Sequence, residues 1–121
     1  MTKNTYEIHG RIYSFALSVL DSVQFIPKTL ENIELIRQLV RAAASIGANA
    51  QEADGAESKK DFIHKFAIAK KEAQEYFYWL SLLADHNVKV KTKLNPLLTE
   101  NRQLVAIIST IILNSNRSSR R

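Results

Sequence analysis

The sequence predicts an all-α protein, and three observations carry that prediction. Only three Gly and two Pro occur in 121 residues, too few breaks for the many turns of a sheet. Apolar residues recur at steps of three and four, not two; Phe62, Phe66, Ala69, Ala73, Tyr76, Leu80 and Leu83 alternate these steps without interruption. That spacing keeps one seam turned toward a partner in left-handed, antiparallel helix packing. Finally, three short breaks carrying capping residues divide the chain into four helical segments. A chain of 121 residues is expected to form one domain with a core of its own, without disulfide or metal staples.

The first segment runs from about Asn4 to Gln24, with Ile8, Ile12, Phe15 and Val19 on one line and Tyr13, Leu17 and Leu20 beside it. Gly10 weakens it by roughly 1 kcal/mol relative to Ala. Phe25-Ile26-Pro27-Lys28 ends it, because the residue before a proline is driven out of the helical region. Thr29 is placed to cap a second segment reaching about Ala53, with Glu31 in the first turn, where a carboxylate favours the helix dipole. This segment contains Leu39 to Glu52 (LVRAAASIGANAQE). On a helical wheel Arg41, Ser45, Asn49 and Glu52 form one polar stripe beside the apolar edge of Leu39, Ala43, Ile46 and Ala50. The run of Ala and Gly47 leaves its backbone open to close approach.

Asp54-Gly55-Ala56-Glu57 turns the chain, and Ser58-Lys59-Lys60-Asp61 opens the third segment as a short-armed capping box. That segment is expected to end near Asp85. His86 to Leu94 reads as a linker, and Asn95-Pro96 as the cap and first position of the fourth segment. There Leu97, Leu104, Ile108 and Ile111 form a line, flanked by Val105, Ile107, Ile112 and Leu113. This apolar arc is wider than the roughly 100° a bundle helix needs. With Ile68, Trp79 and Leu82 off the seam of the third segment, it predicts a second buried surface, most simply in a homo-oligomer; scattered surface apolar residues would leave the same pattern. The bundle is expected over residues 1–114, and 115–121, with Arg117, Arg120 and Arg121, as a flexible basic tail with no apolar anchor.

The charge is unevenly placed. Residues 1–57 hold five Lys or Arg against seven Asp or Glu, and residues 58–121 hold twelve against five, so the halves carry −2 and +7. A basic half favours an anionic partner such as RNA or DNA, although lysine-rich faces also simply keep small domains soluble. No Cys is present, which excludes disulfides and thiol chemistry and fits a reducing compartment. The amino terminus lacks the apolar run of a secretion signal, and no stretch reaches the ~18 apolar residues needed to span a bilayer, so a cytoplasmic location is expected.

Catalysis finds little support. His9, His64 and His86 have no Glu-x-x-His partner or ligand-spaced pair, so neither a metal nor a cofactor is expected. Glu72 and Glu75 stand one turn apart, a spacing that far more often marks a solvated face than an acid–base pair. Gly10, Gly47 and Gly55 make no phosphate-cradling loop, and nothing near Ser45 reads as a strained nucleophile turn. The face of the third segment opposite its seam is more suggestive. Lys60, His64, Lys71 and Tyr78 cluster there, with Lys89, Lys91 and Lys93 beyond its end. Lysines supply phosphate contacts, and Tyr or His can stack on an unpaired base; the same row also describes an ordinary solvated face. The stripe of Arg41, Ser45, Asn49 and Glu52 is read as structural, joined to a neighbouring helix through Glu75, with a ligand or partner surface as the alternative.

The order Arg41-Ala42-Ala43-Ala44-Ser45-Ile46, then Asn49 and Glu52, followed by Phe62, Ala69 and Glu75, resembles a family of small four-helix-bundle proteins. Its members are encoded in intervening sequences of bacterial large-subunit ribosomal RNA genes and are often labelled ribosomal-protein-like. The accessory variability protein of diversity-generating retroelements looks like a relative. The resemblance covers about residues 5 to 114, including Phe25 and Pro27. Ala53 stands where family members usually carry Gly after the motif Glu, and Lys71-Glu72 replaces a frequent Gly-Ser pair. The resemblance implies an antiparallel up-down four-helix bundle assembled into a homopentameric ring. Through the retroelement relative it also implies a basic surface that binds nucleic acid and a reverse transcriptase. The competing expectation is a protein-interaction scaffold without a nucleic-acid role.

Overall fold

Helix starts follow capping chemistry. The Thr29 side chain accepts from the Asn32 backbone N–H, and that of Ser58 accepts from Asp61 N–H, each satisfying a donor that the first turn leaves without a helical partner. In the computed structural model, which describes residues 3–119, these caps open α2 (Leu30–Asp54) and α3 (Lys59–His86). Before them lies α1 (Lys3–Val23); after them come a single 3-10 turn (Val88–Val90) and α4 (Lys91–Ser119). No strand occurs among the described residues. Lys28 closes the end of α1, its Nζ donating to the carbonyls of Val23 and Ile26 at 2.7 and 2.5 Å, where a cation offsets the helix dipole.

Side-chain pairs set the directions of the helices. His9 near the start of α1 meets Asp54 at the end of α2 (2.7 Å), while Glu31 at the start of α2 meets His86 at the end of α3 (3.2 Å). Lys93 at the start of α4 lies over the Phe25 ring beyond α1, 3.8 Å from its centroid. Neighbours therefore run antiparallel in an up-down bundle, with α4 closing against α1. Diagonal helices meet through side chains: Phe15 of α1 and Tyr76 of α3 pack edge to face, 5.0 Å between centroids at 71°, a favoured aromatic geometry. The carboxyl of Glu31 sits below its usual range, held down by its own backbone N–H and then by hydrogen bonds from His86 and Thr29.

The core follows the predicted seams. Phe66, Ala69, Ala73, Tyr76, Leu80 and Leu83 of α3 are buried, with Phe62 partly so. Ile8, Ile12, Phe15 and Val19 line α1, and Ala42, Ala43, Ile46 and Ala50 the inner face of α2. Small residues on α2 serve close approach: a Cβ on Gly47 would lie 3.3 Å from Cγ2 of Ile12. Gly10 has no such reason, since a Cβ there meets nothing within 4 Å. Gly10→Ala should raise stability by about 0.5–1 kcal/mol, measured by urea unfolding, because only chain entropy and helix propensity change. A loss of stability would show that the position packs against something.

Two boundaries differ from the sequence reading. Asn95 does not cap α4, and Pro96 is not its first residue; the helix begins at Lys91 and carries Pro96 inside it. The cause is Leu94, buried one helical step before Leu97 on the same line. Burying it outweighs the hydrogen bond that Pro96 cannot give to the Thr92 carbonyl, because both residues face solvent. At the other end α4 continues to Ser119 instead of stopping at Asn114, since adding a residue to an existing helix requires no new nucleus. Arg120 and Arg121 lie outside the described residues.

Candidate nucleic-acid interface

The basic residues singled out in the sequence sit on helices and turns that expose them. Lys60, His64, Lys71 and Tyr78 follow one another at steps of four and seven along the solvent side of α3, and all are exposed. They form a straight row because those steps return to one side of a helix. Tyr78 packs edge-on against Trp79, 5.2 Å between centroids, which fixes its ring while leaving 58% of the residue exposed. Lys60 and Lys71 make no ion pair among the described residues.

Lys89, Lys91 and Lys93 gather at the opposite end of α3 from Lys60, around the 3-10 turn. They are not equivalent. Lys91 pairs with Asp85 at 2.9 Å and Lys93 lies over the neutral Phe25 ring, whereas Lys89 has neither contact, and all three are exposed. Arg117 is exposed near the end of α4, which antiparallel packing returns to the Lys60 end. The cationic groups therefore make a strip along α3 with a cluster at one end, not a single compact patch.

The polar stripe of α2 divides. Arg41 reaches α3, with Nη2 2.5 Å from Glu75 Oε1 and Nη1 3.5 Å from Glu72 Oε2; Glu75 also accepts from Trp79 Nε1 at 3.2 Å. Glu52 pairs with Lys65 across 3.2 Å. Asn49, by contrast, donates at 2.8 Å to the carbonyl of Ser45 in its own helix and bridges nothing. With Arg41 half exposed, such pairs hold orientation more than they add stability.

The wide apolar arc of α4 is largely used within the chain. Val105, Ile107 and Ile112, like Trp79 of α3, are partly buried against the core; Ile68 is half-buried, while Leu82 and Leu113 stand exposed. A line of exposed apolar residues lies instead on α1, where Tyr13, Leu17 and Leu20 stand at 69, 48 and 52% exposure.

Sequence reasoning passed over the amides. Asn32 is fully buried and exchanges paired hydrogen bonds with Asn87: Asn32 Nδ2 donates to Asn87 Oδ1 at 2.8 Å, and Asn87 Nδ2 to Asn32 Oδ1 at 3.0 Å. The same two groups donate to the Pro27 and Leu83 carbonyls, tying the α1–α2 turn to the end of α3. Asn101, also buried, donates to the Ala73 carbonyl at 3.0 Å. Its signal was present in the sequence, since it interrupts the apolar line of Leu97, Leu104, Ile108 and Ile111, as register-setting Asn residues do in coiled coils. Among the described residues no cluster of His, Asp or Glu could hold a metal ion, and no helix is long and apolar enough to cross a membrane.

These features describe an all-helical bundle whose third helix exposes Lys60, His64, Lys71 and Tyr78 on its solvent side. Residues 4–110 match the sequence profile described as 23S rRNA-intervening sequence protein, and the chain belongs to that family. A solved structure with the same fold is a protein with unknown function from the S23 ribosomal protein family of Bacteroides thetaiotaomicron. It is 28% identical, with a TM-score of 0.82 over 90% of this chain and 97% of that one. Neither description names a reaction. A search of curated proteins finds no match.

Proposed function

We propose that the protein is a non-enzymatic, homo-oligomeric accessory protein of the cytoplasm that binds nucleic acid through phosphate contacts. The observation that carries this reading is the exposed row of Lys60, His64, Lys71 and Tyr78 on α3, within a half of the chain that carries +7. Lysines along a helix meet successive phosphates, and a fixed Tyr offers a stacking face. The family description, which links its members to intervening sequences of 23S rRNA, makes RNA the first ligand to test. The likeness to the retroelement accessory protein makes a reverse transcriptase the first protein partner to test.

Affinity for a structured RNA is expected to fall steeply between about 50 and 200 mM salt and to vary little with sequence. Changing Lys60, Lys71 and Lys89 together to Ala should flatten the log–log salt dependence by about one unit per lysine, whereas Lys91→Ala, already neutralised by Asp85, should do less. No binding to any RNA or DNA at low salt by an intact oligomer would remove this reading.

The oligomeric state is tested by light scattering, which should give a mass several times 13.7 kDa, five copies being the number the resemblance implies. Ile112→Glu and Leu17→Glu distinguish the α4 flank from the α1 stripe as the surface between copies. A second reading, a scaffold that recruits a protein partner, is favoured by the apolar row Tyr13, Leu17 and Leu20. It predicts that Leu17→Glu abolishes partner capture while leaving the mass and any RNA affinity unchanged.

A further inference from the structure

Helix α1 carries two lines at helix-packing spacing, and the fold uses only one. Ile8, Ile12, Phe15 and Val19 are buried in the bundle. On the outward side Gly10, Tyr13, Leu17 and Leu20 follow one another at steps of three, four and three, and all are exposed. Those are the steps of the buried α3 seam, the spacing at which one helix presents its side chains to another. Within the chain nothing calls for a glycine at position 10, where a Cβ would meet no atom within 4 Å; the close approach of a second helix would. Beside the line, α1 meets α4 with Ser14, Ser18 and Ser22 along a groove of about 320 Å³, short side chains that let a helix laid on the line settle inward. One flank of the line is acidic. Glu7, Ser14 and Asp21 recur at steps of seven, which return to one side of a helix, and all three are exposed. Neither acid has an ion pair among the described residues, whereas Arg11 is held by Glu100.

We propose that the outward line of α1 docks an amphipathic helix of a protein partner, one with apolar residues at alternating steps of three and four and Lys or Arg on its flank. The spacing selects a helix, since anchors at i, i+4 and i+7 are what a helical partner matches, and two leucines flanked by acids repel a phosphate backbone. The charges exclude a second α1 as the occupant. Antiparallel pairing with Gly10 opposite Leu20 brings Glu7 of one copy toward Asp21 of the other, and parallel pairing sets each acid against its own equivalent; like charges across a contact oppose it. The outward row of α3 does not fit either, because Lys60, His64 and Lys71 precede Tyr78 and apolar contact would be made at one end only. This inference rests on the scaffold reading above and deepens it by naming the partner's chemistry. It leaves the basic row of α3 free, because α1 and α3 are diagonal in the bundle and their outward faces point to opposite sides.

The test uses the full chain and two fluorescent synthetic helices, each with leucine at alternating steps of three and four, one flanked by lysine and the other by glutamate. By anisotropy at low salt the lysine-flanked helix should bind about tenfold or more tightly than the glutamate-flanked one, the scale of like-charge discrimination at a contact. Leu17→Glu should abolish that binding even though it adds an acid, because it breaks the apolar line at its centre. Glu7→Lys combined with Asp21→Lys should invert the preference toward the glutamate-flanked helix. All three positions are exposed, so the variants leave the core intact, and a thermal melt checks this. Equal affinity for the two helices, no effect of Leu17→Glu, or a preference that charge reversal leaves unchanged would each overturn the proposal. A lower light-scattering mass for Leu17→Glu would overturn it as well, by giving the line to a second copy. Capture of a protein partner that depends on Leu17 and is indifferent to both acids would keep the scaffold reading and overturn the basic-helix assignment alone.

Discussion

Asn32→Ala is expected to lower stability by about 2–4 kcal/mol, seen as a drop in melting temperature on the order of 10 °C. The side chain is fully buried, and its removal strands the Asn87 amide and the Pro27 carbonyl that it now satisfies. Reciprocal amide bonds of this kind reinforce one another in a low-dielectric site. Asn87→Ala should cost less, because Asn87 is nearer to solvent and water can replace it. The double variant should be more stable than the two single effects predict, with a coupling of at least about 1 kcal/mol. Strict additivity would show that the two amides do not act as a pair.

Tyr76 is the second large effect, and its two substitutions should move in opposite directions. Tyr76→Ala opens a cavity at the contact between α1 and α3 and is expected to cost about 3–5 kcal/mol in urea unfolding. Tyr76→Phe keeps the ring and its edge contact with Phe15 while removing a hydroxyl that is buried without a partner. It should be neutral or stabilising, by up to about 1 kcal/mol. Burial pushes the phenol of Tyr76 well above its ordinary range. In the unfolded chain it ionises near its usual pKa of about 10, so above that pH the unfolded state binds fewer protons than the folded one and stability falls as pH rises. Tyr76→Phe should lose that component of alkaline destabilisation. An unchanged pH profile would mean that the hydroxyl finds a partner in solution.

The sequence by itself determined the four helices and their inward faces. The alternating steps from Phe62 to Leu83 and the line from Ile8 to Val19 place apolar groups on one side whatever their neighbours are, and the Thr29 and Ser58 caps act within a single turn. The exposed row of Lys60, His64, Lys71 and Tyr78 was legible for the same reason, since the side opposite a buried seam faces water.

Only the tertiary structure decided what depends on distances across helices. Pro96 marked a helix start by local rules, but burial of Leu94 moved that start back to Lys91. Asp85 and Phe25 occupied two of three similar lysines, a division that spacing along the chain cannot contain. Much of the apolar width of α4 was absorbed by its own bundle, and the exposed apolar line appeared on α1. The buried amides of Asn32 and Asn101 have the composition of turn and surface residues; their roles follow from carbonyls and amides that lie far away in sequence. Periodicity fixes the direction in which a side chain points from its helix axis, and packing fixes what it finds there.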